Sequence, residues 1–165
     1  MIQIVKDADT RPWFFLQTAH TTYGMRVMET GHLEHLYYGE RITVDSQDPA
    51  SCAPLVIQRA FAPGNTCTYD REHPQISMED VCLEVGTLGK GDIREPFLEV
   101  RFADGSVTSD FTFDSYKIIT LKEREQCLQD SGLPHSYSEV ETDSAECLQI
   151  VLQDVTNHLE LQLFY

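Results

Sequence analysis

The sequence predicts an all-β domain, mainly antiparallel, with one or two short helices, and three stretches predict it. Thr22 to Met28 and Gly31 to Gly39 flank the Gly-bearing connection Glu29-Thr30-Gly31, so residues 22–39 read as a β-hairpin. Leu98, Val100 and Phe102 alternate with polar neighbours and run into Asp104-Gly105, a strong hairpin turn. Leu148, Ile150 and Leu152, then Leu159, Leu161, Leu163 and Tyr165, alternate in the same way around a connection at 154–157.

Each element follows from its local pattern. Trp13-Phe14-Phe15-Leu16-Gln17-Thr18 predicts a strand ahead of the hairpin. In the hairpin's second strand, Leu33 and Tyr37 lie on one side and Leu36 and Tyr38 on or near the other. That strand is therefore expected inside a sheet covered on both faces. From Glu40 to Gly64 the density of Asp, Pro and Gly argues for loop, interrupted by one extended piece at Leu55-Val56-Ile57. Residues 77–85 carry a helical signal, with Ser77 as N-cap and Met78, Val81, Cys82 and Val85 on one stripe before Gly86. After Asp104-Gly105 a return strand is expected from Ser106 to about Thr120. Its apolar parity changes between Phe113 and Tyr116, which predicts a bulge near Asp114-Ser115. Thr120 and Glu123 then form a capping box for a short helix over 121–129.

Composition narrows the function. A length of 165 residues suits one domain with a sizeable core. Twelve basic against 27 acidic residues give a net charge of −15, a field that repels nucleic-acid phosphates and anionic lipid. No apolar run is long enough for a membrane span, and the N-terminus lacks a basic start followed by a long apolar segment. A soluble cytoplasmic protein without nucleic-acid or membrane partners is the expectation. The five cysteines are widely spaced, as expected of reduced thiols rather than of a disulfide framework or a zinc site. The chain stops at Tyr165 inside its last alternating run, so a fragment ending before the last strands of its sheet is expected.

The patterns that suggest chemistry mostly dissolve on inspection. His32 and His35 look like half a metal site, but residues three apart in a strand point to opposite faces, so no metal is expected. Gly86-Thr-Leu-Gly89-Lys90-Gly91-Asp92 resembles a phosphate loop only in glycine count, because no Ser or Thr follows Lys90 and Pro96 arrives soon after. Asp92, Arg94 and Glu95 form the densest charged cluster on a loop, where a solvated surface or a clamp of Asp92 and Arg94 that holds the loop is expected ahead of a binding role. No nucleophile–base arrangement and no cofactor motif stands out.

Phe15-Leu16-Gln17-Thr18, Thr22-Tyr23, Arg26-Val27 and Gly31-x-Leu33-x-His35-Leu36-Tyr37-Tyr38-Gly39 resemble the start of the α-galactosidases of glycoside hydrolase family 36. The resemblance continues in order through Arg59-Ala60-Phe61-x-Pro63, Gly91-Asp92-x-Arg94-Glu95-Pro96, Gly132-Leu133-Pro134 and Ala145-Glu146-x-Leu148-x-Ile150. It implies that residues 1–165 are a β-sandwich, supersandwich-like, preceding a (β/α)8 barrel that supplies both catalytic aspartates. In that case the chain has no catalytic residue and no cofactor of its own. Its partners are its own barrel and further copies in a dimer or tetramer, and galactosides of the melibiose and raffinose type are met only in the assembled enzyme. The loop before Arg59-Ala60-Phe61 is implied to reach a neighbouring subunit's active site, with Gln58 and Arg59 as substrate-binding residues. Some members carry Asp immediately before that Arg; Gln58 keeps hydrogen-bonding capacity but not the charge-assisted bond. The alternative, a free-standing carbohydrate-binding sandwich, would use Trp13, Tyr37 or Tyr38 as stacking platforms.

Overall fold

A computed structural model describes residues 1–57, 68–92, 95–128 and 146–165. Two antiparallel sheets carry the fold. The first has the order β1-β2-β3-β4, built from β1 (Ile2–Lys6), β2 (Pro12–Gln17), β3 (Thr21–Val27) and β4 (Leu33–Glu40). Two two-residue segments, β5 (Thr87–Leu88) and β6 (Gly91–Asp92), flank a tight turn at Gly89. The second main sheet has the order β7-β8-β9, from β7 (Thr112–Thr120), β8 (Glu146–Asp154) and β9 (Leu159–Phe164). One α-helix, α1 (Leu121–Leu128), and two 3₁₀ turns, Pro49–Leu55 and Met78–Asp80, complete the described elements. The architecture is the predicted one: mostly antiparallel strands in two sheets with little helix.

Strand period explains the core. In β2, successive side chains alternate between faces. Phe14 enters the core between the sheets with Met25, Val27, Leu33, Leu148, Ile150 and Leu152. Its ring meets Tyr116 of β7 edge-on at 5.1 Å. Trp13 and Phe15 point the other way, into a second core with Val5 and Cys52, closed by Leu36, Val44, Leu55 and Val56. The sheet is thus covered on both faces, as expected, but the doubly buried strand is β2. β4 lies at the end of the strand order, and Tyr38 is 71% exposed. A bulge opposite Gly24/Met25 skips Leu36 and turns it into the second core. Gly24 has a steric reason: a Cβ there would lie 3.1 Å from the Phe15 ring.

The hairpin turn closes where predicted, with Gly31 at φ +83° and its carbonyl accepting from Phe113 N–H at 2.7 Å, which ties the first sheet to the second. The bulge in β7 falls between Phe113 and Ser115, and the capping box forms: Glu123 N–H donates to Thr120 Oγ1 at 3.2 Å, and Thr120 N–H to Glu123 Oε2 at 2.8 Å.

Three expectations are corrected, and β1 is a strand additional to those predicted. Pro49–Leu55 is a 3₁₀ turn begun by Asp48, whose side chain accepts from Ala50 N–H, so Leu55 belongs to this turn and Val56 is extended, where 55–57 was expected to be extended throughout. The helix expected over 77–85 shrinks to Met78–Asp80. Beyond it the chain extends beside β4, with His35 N–H donating to Cys82 O at 2.7 Å and Glu84 N–H to Leu33 O at 2.9 Å. The run 97–102 makes no ladder; Leu98 bridges Thr87, and Phe102 N–H to Ser106 O closes the Asp104-Gly105 turn.

Candidate functional site

The loop carrying Gln58 and Arg59 leaves the described fold at Val56 and Ile57, which line a cleft of about 380 Å³. Gln58 and Arg59 themselves lie outside the described residues. The cleft is polar, and both of its arginines are paired with carboxylates. Arg26, on β3, bonds Glu34 of β4 through Nε at 2.7 Å and lies 5.3 Å over the Trp13 ring. Arg11 bonds Asp7 through Nε at 2.8 Å. Burial opposes ionisation of Asp7, but the Arg11 side-chain and backbone bonds outweigh it and hold the carboxyl below the usual range. These carboxylates are committed to guanidinium partners, which suits shape and hydrogen-bonding recognition rather than proton transfer.

A second cluster holds the loops together around Asp110. His32 Nε2 meets Asp110 Oδ1 at 2.7 Å, while Tyr69 O–H and Lys90 Nζ meet Oδ2 at 3.1 and 3.3 Å. Nδ1 of His32 faces Thr30 Oγ1 at 2.9 Å, so both ring nitrogens of this buried histidine have a partner. Lys90 also sits 4.6 Å over the Tyr69 ring. Asp110 is desolvated, yet the His32 bond and the Lys90 charge keep its carboxyl below the usual range; the same carboxylate pushes the Tyr69 phenol, already raised by burial, up to about 12. This clamp was not foreseen, because Asp110, Tyr69 and His32 are far apart in sequence. The expected clamp partner Arg94 lies outside the described residues. Asp92 is in β6, two residues after Lys90.

The third cluster centres on Glu84. Its Oε1 accepts from Tyr23 O–H at 2.5 Å and faces His35 Nδ1 at 3.0 Å, and its Oε2 accepts from Tyr165 O–H at 2.8 Å. His32 and His35 therefore serve different carboxylates. Among the described residues, no group of three His, Cys, Asp or Glu side chains is placed to hold a metal ion. Of the three aromatic platforms of the carbohydrate-binding alternative, Trp13 is buried in the outer core and the Tyr37 O–H donates to Glu40 O, which leaves Tyr38 open to solvent.

A family model described as the glycosyl hydrolase family 36 N-terminal domain matches residues 31–165. The chain belongs to this family. Over 92% of its length the domain is 34% identical to the bifunctional α-galactosidase/sucrose kinase AgaSK of Mediterraneibacter gnavus and 32% identical to the α-galactosidase AgaA of Geobacillus stearothermophilus. It spans only 15% and 19% of those two proteins. The solved galactosidase domain of AgaSK superposes with a TM-score of 0.74 at 30% identity, covering 99% of this chain and 21% of that one. A variant of the Geobacillus stearothermophilus enzyme, solved in complex with stachyose, gives a TM-score of 0.72 at 27% identity over 93% of this chain and 20% of its own. Among the described residues no helix is long and apolar enough to cross a membrane.

Proposed function

We propose that this family 36 N-terminal domain is the non-catalytic β-sandwich of a retaining α-galactosidase that hydrolyses terminal α-galactosyl residues of melibiose- and raffinose-type sugars. The family match, taken with a span of about one fifth of α-galactosidases of the same family, carries the reading. The relative solved with stachyose supports the substrate class. In this reading the domain buttresses a (β/α)8 barrel that holds the catalytic carboxylates, the enzyme assembles as a dimer or tetramer in the cytoplasm, and the domain meets galactosides only there. Gln58 and Arg59 reach a neighbouring subunit's substrate, and Asp92 with Arg94 clamps its loop.

The purified chain is expected to show no turnover of a chromogenic α-galactoside, and measurable hydrolysis would overturn the assignment. In the full-length parent, Arg59→Ala is expected to lower kcat/KM about tenfold, the loss of one charge-assisted bond to a sugar hydroxyl. An unchanged kcat/KM would remove Arg59 from the substrate site while leaving the domain's place in the enzyme intact.

A further inference from the structure

The Glu84 cluster forms one wall of a cavity of about 400 Å³, lined also by Leu83, Val85, Phe97 and Leu163. Its construction is specific. The carboxylate is 93% buried, with a side-chain exposure of 7%, and its three partners are two phenols and an imidazole, with no Lys or Arg in bridging distance among the described residues. A carboxylate offers about four lone-pair sites, so Oε2, which accepts one bond against two at Oε1, retains acceptor capacity. Its partners' rings are grouped together: the Tyr23 ring lies 4.8 Å from His35 and 6.2 Å from Tyr165, with Tyr38 6.0 Å from Tyr23 outside the cavity lining. Phe97 and Tyr38 are 76% and 71% exposed. An anion set among aromatic and aliphatic walls has the complementarity of a cation with an apolar stem: the stem packs on Leu and Phe, the head stacks on the rings and bonds the carboxylate.

We propose that this cavity is a socket for an arginine or lysine side chain presented by the remainder of the parent α-galactosidase. The proposal rests on the reading that the domain belongs to a larger enzyme. Charge complementarity selects the occupant: the domain carries −15 overall, and among the described residues the carboxylate that lines the cavity, Glu84, has no Lys or Arg partner. A saccharide, which would need several converging polar groups, fits these mostly apolar walls less well.

Ethylguanidinium serves as the probe for the chain itself. Nuclear magnetic resonance of the His35 ring and the Tyr23 and Tyr165 side chains is expected to show saturable shifts at roughly millimolar concentration, in keeping with a ligand of so few atoms. Cys82, an exposed thiol on the cavity rim, should be alkylated about threefold more slowly at saturation, in a background with Cys67 and Cys127 replaced by Ser. Glu84→Gln should abolish the saturable shift. Should Glu84→Gln fail to fold, Phe97→Ala, at an exposed position, should weaken binding severalfold with an unchanged Tm. In the full-length parent, Cys82 should react at least about tenfold more slowly than in the chain. Absence of a saturable shift, shifts that survive Glu84→Gln, shifts with galactose but not ethylguanidinium, or equal Cys82 rates in chain and parent would each overturn the proposal. None of these readouts depends on galactoside turnover, so its failure is separable from that of the enzymatic reading.

Discussion

Asp110 shows how single side chains hold this domain together. Its carboxylate joins the hairpin turn through His32, the 68–76 segment through Tyr69 and the Gly89 turn through Lys90. Asp110→Asn keeps the shape but removes the anion, leaving Lys90 without its carboxylate and one amide N–H facing a donor. We expect a loss of about 1–3 kcal/mol, or roughly 2–4 °C of Tm per kcal/mol, measurable by thermal circular dichroism at pH 7. An unchanged Tm would show that the cluster is surface decoration. The wild-type carboxyl is held below the ordinary value of 3.8, so its contribution is fully present above that pH and is lost as pH falls through the lower folded value. The difference between wild type and Asp110→Asn should therefore close in strong acid. His158 poses the opposite problem, a φ of 55° in the β8–β9 turn. Glycine adopts that conformation without a Cβ clash, so His158→Gly should raise stability by several tenths of a kcal/mol, the relief of about 1–2 kcal/mol of strain less the entropy glycine costs. A fall in Tm would mean that the imidazole makes a contact worth more than the strain.

Elements were legible where one local rule decided them and illegible where a distant partner did. The hairpin at 22–39, the bulge near Asp114 and the α1 capping box follow from residues within a few positions of one another, and each forms as predicted. The 77–85 stretch has helical spacing, but β4 offers it backbone partners, and the bonds from His35 to Cys82 and from Glu84 to Leu33 win over a two-turn helix. The 97–102 run has strand alternation but finds no adjacent strand beyond the single bridge to Thr87. Of the candidate site, Gln58, Arg59 and Arg94 lie outside the described residues. The Asp110 and Glu84 clusters were not legible in the sequence, since each gathers residues more than 40 positions apart. The capping box can be tested alone. Thr120→Ala removes the acceptor for Glu123 N–H at the start of α1, and a cap of this kind contributes about 1 kcal/mol. Amide exchange over 121–125 should accelerate about fivefold while the sheet amides stay unchanged. Uniform acceleration would instead make α1 part of the global folding unit.

For the whole molecule, charge and buried phenols act in the same direction at high pH. The net charge of −15 makes the compact state repel itself, and each further ionisation adds to that repulsion. Tyr23 and Tyr165 are raised by burial and by the Glu84 carboxylate they bond, and Tyr69 stands at about 12 through burial and Asp110. In the unfolded chain these phenols ionise near the ordinary value of 10. A group whose folded pKa is raised contributes stability that is whole below the unfolded value and disappears as pH climbs toward the folded one. Between about pH 10 and 12 the unfolded chain therefore sheds protons that the native state retains at three tyrosines, and unfolding becomes progressively easier. Thermal unfolding followed by circular dichroism should give a Tm that declines steeply above pH 10, with tyrosinate absorbance at these three positions appearing only with the unfolding transition. Salt separates the two causes: 1 M NaCl, with a Debye length of about 3 Å, should relieve the long-range repulsion but leave the buried phenols' contribution in place. A Tm that stays level to pH 11, or a decline that salt removes entirely, would mean that Glu84 and Asp110 do not hold their phenols in the protonated state.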